Sequence, residues 1–245
     1  MKISGSLLKM KSEISQPIKY YLPIGSESVE MNSLINKPVR FTFENQIFCT
    51  NCGSKTYKSF NQGLCYPCFQ SSPLASECII HPEKCQAHLG IGRDMEWEKK
   101  YHLTPQIVYL ALTANAKVGI TRKPQIPTRW IDQGAVQTVI LAETPNRYLA
   151  GVIEVTLKDF IGDKTHWQKM LKNEIYSILL NHKDHKIEEI YNNEKIAIYD
   201  VIILGSDNFY YEFKWQVERY NGKGSLNNCW LTTAVSNPVS LGASI

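Results

Sequence analysis

VYLALTANAKVGITRKPQIPTRW, residues 108–130, holds the key to the architecture of the chain. Two apolar runs, IVYLALT and AKVGIT, flank a short polar break. They read as a β-hairpin whose turn would use the tolerance of Asn115 for left-handed geometry. IPTRWIDQG then reads as a short helix and AVQTVILAE as a third strand. TPNRYLAGVIEVTLKDF reads as a helix with Thr144 as N-cap and Pro145 in its first position. The expected order is ββαβα.

Beyond this core, DKTHWQKMLKNEIYSILLNH follows as a further helix. Asp163 would cap it, and Trp167, Met170, Leu171, Ile175, Ile178 and Leu179 form one apolar stripe. KIAIYDVIIL and FYYEFKWQVERY are strand-like, and the polar tail after them is expected to be loosely ordered. Upstream, IKYYLPI, KPVRFTF and NQIFC suggest a small antiparallel sheet. The expectation is an α+β protein in four parts. These are a β unit at 1–48, a cysteine-rich segment at 49–92, an α/β domain at 93–185 and a C-terminal β extension at 186–245.

Bulk properties bound the function. With 245 residues and 43% hydrophobic content the chain can build sizeable cores. A net charge of +4 is mildly basic, so any polyanion must be held by local patches. No run approaches the roughly 20 apolar residues of a membrane span, and MKISGSLLKMKSEIS alternates charge with apolar residues unlike a signal peptide. A cytoplasmic protein without a membrane partner is expected.

Six of the seven cysteines fall between Cys49 and Cys85, in paired spacings. Cys49-x2-Cys52, twelve residues, then Cys65-x2-Cys68 is the pattern of a zinc ribbon: each CxxC turn aims two thiolates at one point. Redox CxxC pairs or free buried thiols are the alternatives, but no thioredoxin-like βαβ pattern surrounds them. Four protein ligands leave no open position, so this Zn²⁺ would hold structure and do no Lewis-acid chemistry. Lys55, Tyr57, Lys58 and Phe60 lie between the knuckles. They suit either contacts with bases and phosphates or, for Tyr57 and Phe60, a small ribbon core. A second group, Cys78, His81, Cys85 and His88, could ligate another zinc; the alternative is two buried thiols and two surface histidines.

From Lys99 to Ile131 there is no acidic residue, while Lys99, Lys100, Lys117, Arg122, Lys123 and Arg129 are cationic. That is the footprint of phosphate contacts or of a plain solvated surface. At these residues the chain resembles the GIY-YIG nuclease module. Ile107-Val108-Tyr109 is similar to its first motif and Lys117-Val118-Gly119 to its second, with a lysine where that family has its second tyrosine. Arg129 is similar to its arginine and Glu154 to its metal-binding glutamate. The resemblance implies that Tyr109 helps activate water, Arg129 steadies the scissile phosphate and Glu154 holds Mg²⁺ or Mn²⁺. Lys117 would be a further catalytic residue, with Gly119, Arg122 and Lys123 contacting nucleic acid. The knuckles together with KVGITR, RWIDQGA and NRYLAG, over about residues 35–175, resemble an uncharacterised bacterial family of zinc-ribbon proteins with a GIY-YIG-like domain.

Plainer roles exist for the same residues. Tyr109 could be a core aromatic, Arg129 could clamp Asp132 or a carbonyl, and Glu154 could pair with Lys158 at i,i+4. The expected function is a zinc-stabilised protein that binds DNA or RNA and could be a metal-dependent nuclease. A non-catalytic binding module and a protein-interaction scaffold are the alternatives.

Overall fold

The computed structural model describes residues 2–158, 161, 167–172, 179–191, 194–204, 210–215, 218–220, 223–225 and 229–232; for Trp167 and everything after 172 only the backbone is described. The chain divides into two compact units, Met1–Ile79 and Ile80–Ile245.

In the first unit, β1 (Lys11–Glu13), β2 (Lys19–Ile24) and β3 (Glu27–Glu30) form an antiparallel sheet in that order. Leu22, paired with Val29, is fully buried. KPVRFTF, expected as a strand of this unit, departs from the reading. Residues 38–46 lie in no helix or strand and are all exposed. NQIFC is reduced to β4 (Ile47–Phe48), which pairs with β5 (Lys55–Thr56). Helix α1 (Tyr66–Ser71) starts at Cys65 with a proline inside its first turn, where a missing N–H leaves no helical bond unmade. Single 3-10 turns at Pro73–Ala75 and Glu77–Ile79 end this unit, and two more, Pro82–Lys84 and Ala87–Leu89, open the second.

In the second unit, α2 (Met95–Tyr101) is capped by Asp94, whose carboxylate accepts from the backbone of Glu96 and Trp97 at 3.1 Å. Strands β6 (Gln106–Leu112) and β7 (Ala116–Arg122) are the expected hairpin. The turn residue Asn115 does not take up a left-handed φ, which among non-glycine residues falls instead on Asn36, Asn45 and Asn61. Helix α3 (Thr128–Asp132), strand β8 (Gln137–Thr144) and helix α4 (Arg147–Lys158) complete the order ββαβα. The cap of α4 is Asn146, not Thr144. Asn146 Oδ1 accepts from the Leu149 N–H at 3.0 Å, because β8 runs on through Thr144 and postpones the helix by two residues.

Strand β6 lies between β7 and β8 and is buried along its whole length. Its alternation feeds two cores. Val108, Leu110 and Leu112 pack with Val118, Val139, Leu141, Leu149, Ala150, Ile153 and Leu157. Ile107, Tyr109 and Ala111 pack on the other face with Ile126, Trp130, Ala135 and Ile140. Each large aliphatic side chain buried this way contributes about 1.5–3 kcal/mol. Gly151 is where α4 meets the turn at Pro82–Lys84: an added Cβ would lie 2.3 Å from the Glu83 nitrogen and 2.4 Å from the Pro82 carbonyl carbon.

Downstream, α5 (Trp167–Leu171) is what is described of the expected second helix; its expected cap, Asp163, and its stripe residues Ile175 and Ile178 lie outside the described residues. Leu179 to His182 belong to a strand instead, β9 (Leu179–Tyr191). Strands β10 (Glu194–Leu204), β11 (Tyr210–Trp215), β12 (Glu218–Tyr220), β13 (Lys223–Ser225) and β14 (Cys229–Thr232) follow. β10 joins β8 through Ala197 opposite Glu143, so the sheet runs β14-β11-β10-β8-β6-β7, with β9 also paired to β10. Part of the tail read as loose, including Cys229, is thus in a strand beside β11. The architecture is mixed α+β, and no helix among the described residues is long and apolar enough to cross a membrane.

Candidate functional site

The four cysteines of the two CxxC turns converge. Cys49 stands beside β4, Cys52 follows in the turn, and Cys65 and Cys68 sit at the cap and first turn of α1. Their Sγ atoms all lie within 4.8 Å of one another, and none of them is in a disulfide. Zinc–sulfur bonds of roughly 2.3 Å in a tetrahedron give sulfur–sulfur edges of roughly 3.8 Å. Cys52 and Cys65 stand 3.7 Å apart. The donor set therefore fits a closed tetrahedral zinc site.

The electrostatics ask for a cation. Burial opposes the Cys49 thiolate, but backbone N–H groups of Cys65, Cys52 and Asn51 outweigh it and bring the thiol down to about 6. Asn51 Nδ2 donates to Cys68 Sγ at 3.4 Å, which favours that thiolate too. Yet its bonds to Cys65, Cys52 and Cys49, together with burial, push Cys68 up to about 12. Four crowded thiols cannot all ionise alone; a divalent cation removes the conflict. Around this centre Phe60 packs on Tyr66 and Phe69 at 5.4 and 5.5 Å, which assigns it a packing role. Tyr57 is fully exposed, with exposed Lys55 and Lys58 near it in sequence.

A second set is Cys78, Cys85, Glu98 and His102, all buried, whose ligand atoms also lie within 4.8 Å of one another. Cys85 Sγ is 3.6 Å from His102 Nδ1, and Glu98 Oε2 contacts that same nitrogen. A nucleophile–base–carboxylate relay needs both ring nitrogens, one for each partner. Convergence of both on one nitrogen fits a shared metal. The expected sulfur–nitrogen edge of a zinc tetrahedron, roughly 3.6 Å, matches. Burial pushes the Glu98 carboxyl above its usual range, although His102 and Arg147 pull it down.

The expected histidines are thereby corrected. His81 lies half-exposed beside Glu83 at 3.4 Å, and His88 stacks on Tyr148 at 4.5 Å. Pro82 stiffens the turn after His81, and both rings find other partners. Glu98 on α2 and His102 at its C-cap, one helical turn apart, take their places. That i,i+4 pair was visible in EWEKKYH but lies beyond the cysteine-rich segment.

The third feature is the sheet face below α3. Tyr109 is completely buried and stands opposite Gly119, where a Cβ would come within 2.9 Å of its hydroxyl. The glycine makes room for the phenol. The Tyr109 ring meets Trp130 edge-on at 5.8 Å. Its hydroxyl is 2.9 Å from the amide of Gln133. With the amide nitrogen toward Tyr109, the Gln133 oxygen accepts from Arg129 Nε and Nη2 at 3.2 and 3.3 Å. Burial raises the Tyr109 pKa; Arg129 and Gln133 oppose the rise, and the Glu154 carboxylate adds to it.

Tyr109 and Arg129 thus come together, with Gln133 as the residue that joins them and that sequence reasoning missed. It lies four residues after Arg129, which is the signal that could have found it. Arg129 is exposed and Glu154 half-buried, while Lys117 is buried opposite Ala111. Arg122 lies 4.6 Å over the Tyr101 ring. Lys123 is neutralised by Glu143 at 2.8 Å.

The knuckle and this sheet fall within one family pattern. The model of a family described as a protein of unknown function (DUF2797) matches residues 36–239. The chain belongs to that family. Membership spans both the cysteine-rich knuckle and the seven-stranded sheet. No curated protein and no solved structure matches the chain.

Proposed function

We propose that this DUF2797 protein is a zinc-stabilised nucleic-acid-binding protein whose phosphate contacts centre on Arg129. One observation carries the reading: an exposed guanidinium is held by Gln133 beside a buried tyrosine, in a stretch whose sequence has no acid from Lys99 to Ile131. A pre-oriented guanidinium loses little freedom when it pairs with a phosphate, and its five N–H donors outnumber those that Gln133 engages. Arg122, braced on Tyr101, extends the cationic surface, and Tyr57 with Lys55 and Lys58 offers a stacking group between cations. The order ββαβα and the pairing of Tyr109 with Gly119 support the GIY-YIG resemblance. The two metal centres serve as structural zinc.

The test is binding of labelled single- and double-stranded DNA and RNA to zinc-loaded protein, followed by fluorescence anisotropy across salt. Affinity is expected to fall with salt. Arg129→Ala is expected to weaken it, and Gln133→Ala to weaken it less. No binding at low salt by the zinc-loaded chain would refute the reading and favour a protein-interaction scaffold.

A second reading, metal-dependent phosphodiester hydrolysis, is favoured by one observation: Gln133 joins Arg129 to the Tyr109 hydroxyl and so brings together two of the residues that the resemblance names. Glu154 would hold Mg²⁺ or Mn²⁺ and Arg129 would steady the phosphate. The Tyr109 phenol, protonated at neutral pH, would act as a proton donor. Cleavage that needs added Mg²⁺ or Mn²⁺ and is lost in Glu154→Gln and Tyr109→Phe supports this reading. Binding without cleavage rejects it.

A further inference from the structure

The segment Arg40-Phe41-Thr42-Phe43-Glu44 has the composition of a strand and no partner strand among the described residues. It alternates apolar and polar residues with the strand period of two, and β-branched and aromatic types dominate it. Yet residues 38–46 take part in no hydrogen bond or ion pair among the described residues and belong to no sheet. Phe41 and Phe43 are 65% and 67% exposed, and Val39 is 48% exposed. Two neighbouring phenylalanines left in water beside unpaired backbone groups are an unfilled half of an interface.

The order of residues says what fills it. Read backwards, RFTFE becomes EFTFR, so an antiparallel copy of the same segment places Arg40 opposite Glu44, Phe41 opposite Phe43 and Thr42 opposite itself. Both ends then carry an opposite-charge pair. One face collects four phenylalanines, and the hydroxyls of the two Thr42 residues meet on the other. Sliding one copy by two residues, to bring Phe41 opposite itself, would set Glu44 against Pro38 and leave both charges unmatched. Asn45, at φ +56°, turns the chain away and limits the paired strand to this stretch.

We infer that this segment is a dimerisation strand: two copies of the chain pair their Arg40–Glu44 segments antiparallel about a two-fold axis at Thr42. The pairing is isologous, so it closes on itself, and it is independent of the nucleic-acid reading.

Light scattering after size-exclusion chromatography of the zinc-loaded full chain tests this. The wild type is expected to be a dimer, and Arg40→Glu or Glu44→Arg alone a monomer, since each sets like charges against each other. Mixing the two single variants is expected to restore a dimer, because a strand acidic at both ends then faces a strand basic at both ends. Opposed Cα atoms in an antiparallel pair lie about 4.5–5.5 Å apart, within disulfide reach. Thr42→Cys is therefore expected to give a cross-linked dimer on non-reducing electrophoresis. Unchanged zinc content in every variant shows that the knuckle is intact. A monomeric wild type overturns the inference. So does a dimer that ignores both charge reversals and gives no Thr42→Cys cross-link.

Discussion

The knuckle at 47–75 and the sheet around β6 reach order by different physics. The knuckle core consists of Leu64 and Ala75 with Phe69 packed beside them, together with the cysteines themselves. The sheet packs eleven fully buried residues on one face of β6 and a second cluster on the other. A few apolar residues do little to offset the conformational entropy of ordering such a loop, and the four converging thiols offer the metal site that would supply the rest. The sheet has the contiguous core that makes metal unnecessary at Tyr109. Chemistry is therefore free to vary in one place and not the other: the knuckle commits its reactive groups to folding, whereas the sheet can leave Arg129 at the surface.

Removing the metal is expected to have the largest effect. Chelation of zinc, or Cys65→Ser, should release residues 47–75 to limited proteolysis while the circular dichroism of the sheet persists. The Cys65→Ser protein should lose about one zinc ion per chain, read by metal analysis. A knuckle that stays protected without zinc would erase the contrast.

Leu110→Ala should cost about 3 kcal/mol in chemical denaturation, through lost burial and the cavity left behind. Gly151→Ala should cost about 2 kcal/mol by forcing α4 away from Pro82 and Glu83, where the clash is with backbone and cannot be relieved by a side-chain shift.

Tyr109→Phe should cost about 1 kcal/mol by breaking the bond to Gln133. It also carries a pH signature. The folded pKa of Tyr109 is raised above the ordinary 10.0, so its contribution is fully present below about pH 10. It is lost as the pH rises through the folded value, because the unfolded phenol ionises first. The wild type should therefore lose its advantage over Tyr109→Phe in the alkaline range, in denaturant midpoints measured across pH. A constant difference would mean that the phenol is not held neutral.

Much of the fold was legible because it is local. The hairpin, α3, β8 and most of α4 follow from periodicity and punctuation within a dozen residues. The misread elements depend on distant partners. Thr144 lost the cap to Asn146 because β8 extends through it. KPVRFTF has strand composition but no neighbour among the described residues. Leu179 to His182 carry an apolar pattern that suits helix and strand alike, and pairing with β10 selects the strand.

The set Cys49, Cys52, Cys65 and Cys68 could be read from spacing alone, since two CxxC turns aim their thiolates through local geometry. That Gly119 faces Tyr109 was equally implicit in the chain, because hairpin register follows from the turn. Neither spacing nor composition could select Glu98 and His102 over His81 and His88 as the companions of Cys78 and Cys85, or tie Arg129 to Tyr109 through Gln133. Those groupings depend on how a helix or a loop folds back over other segments. Ligand chemistry permits several such pairings, and three-dimensional packing admits one.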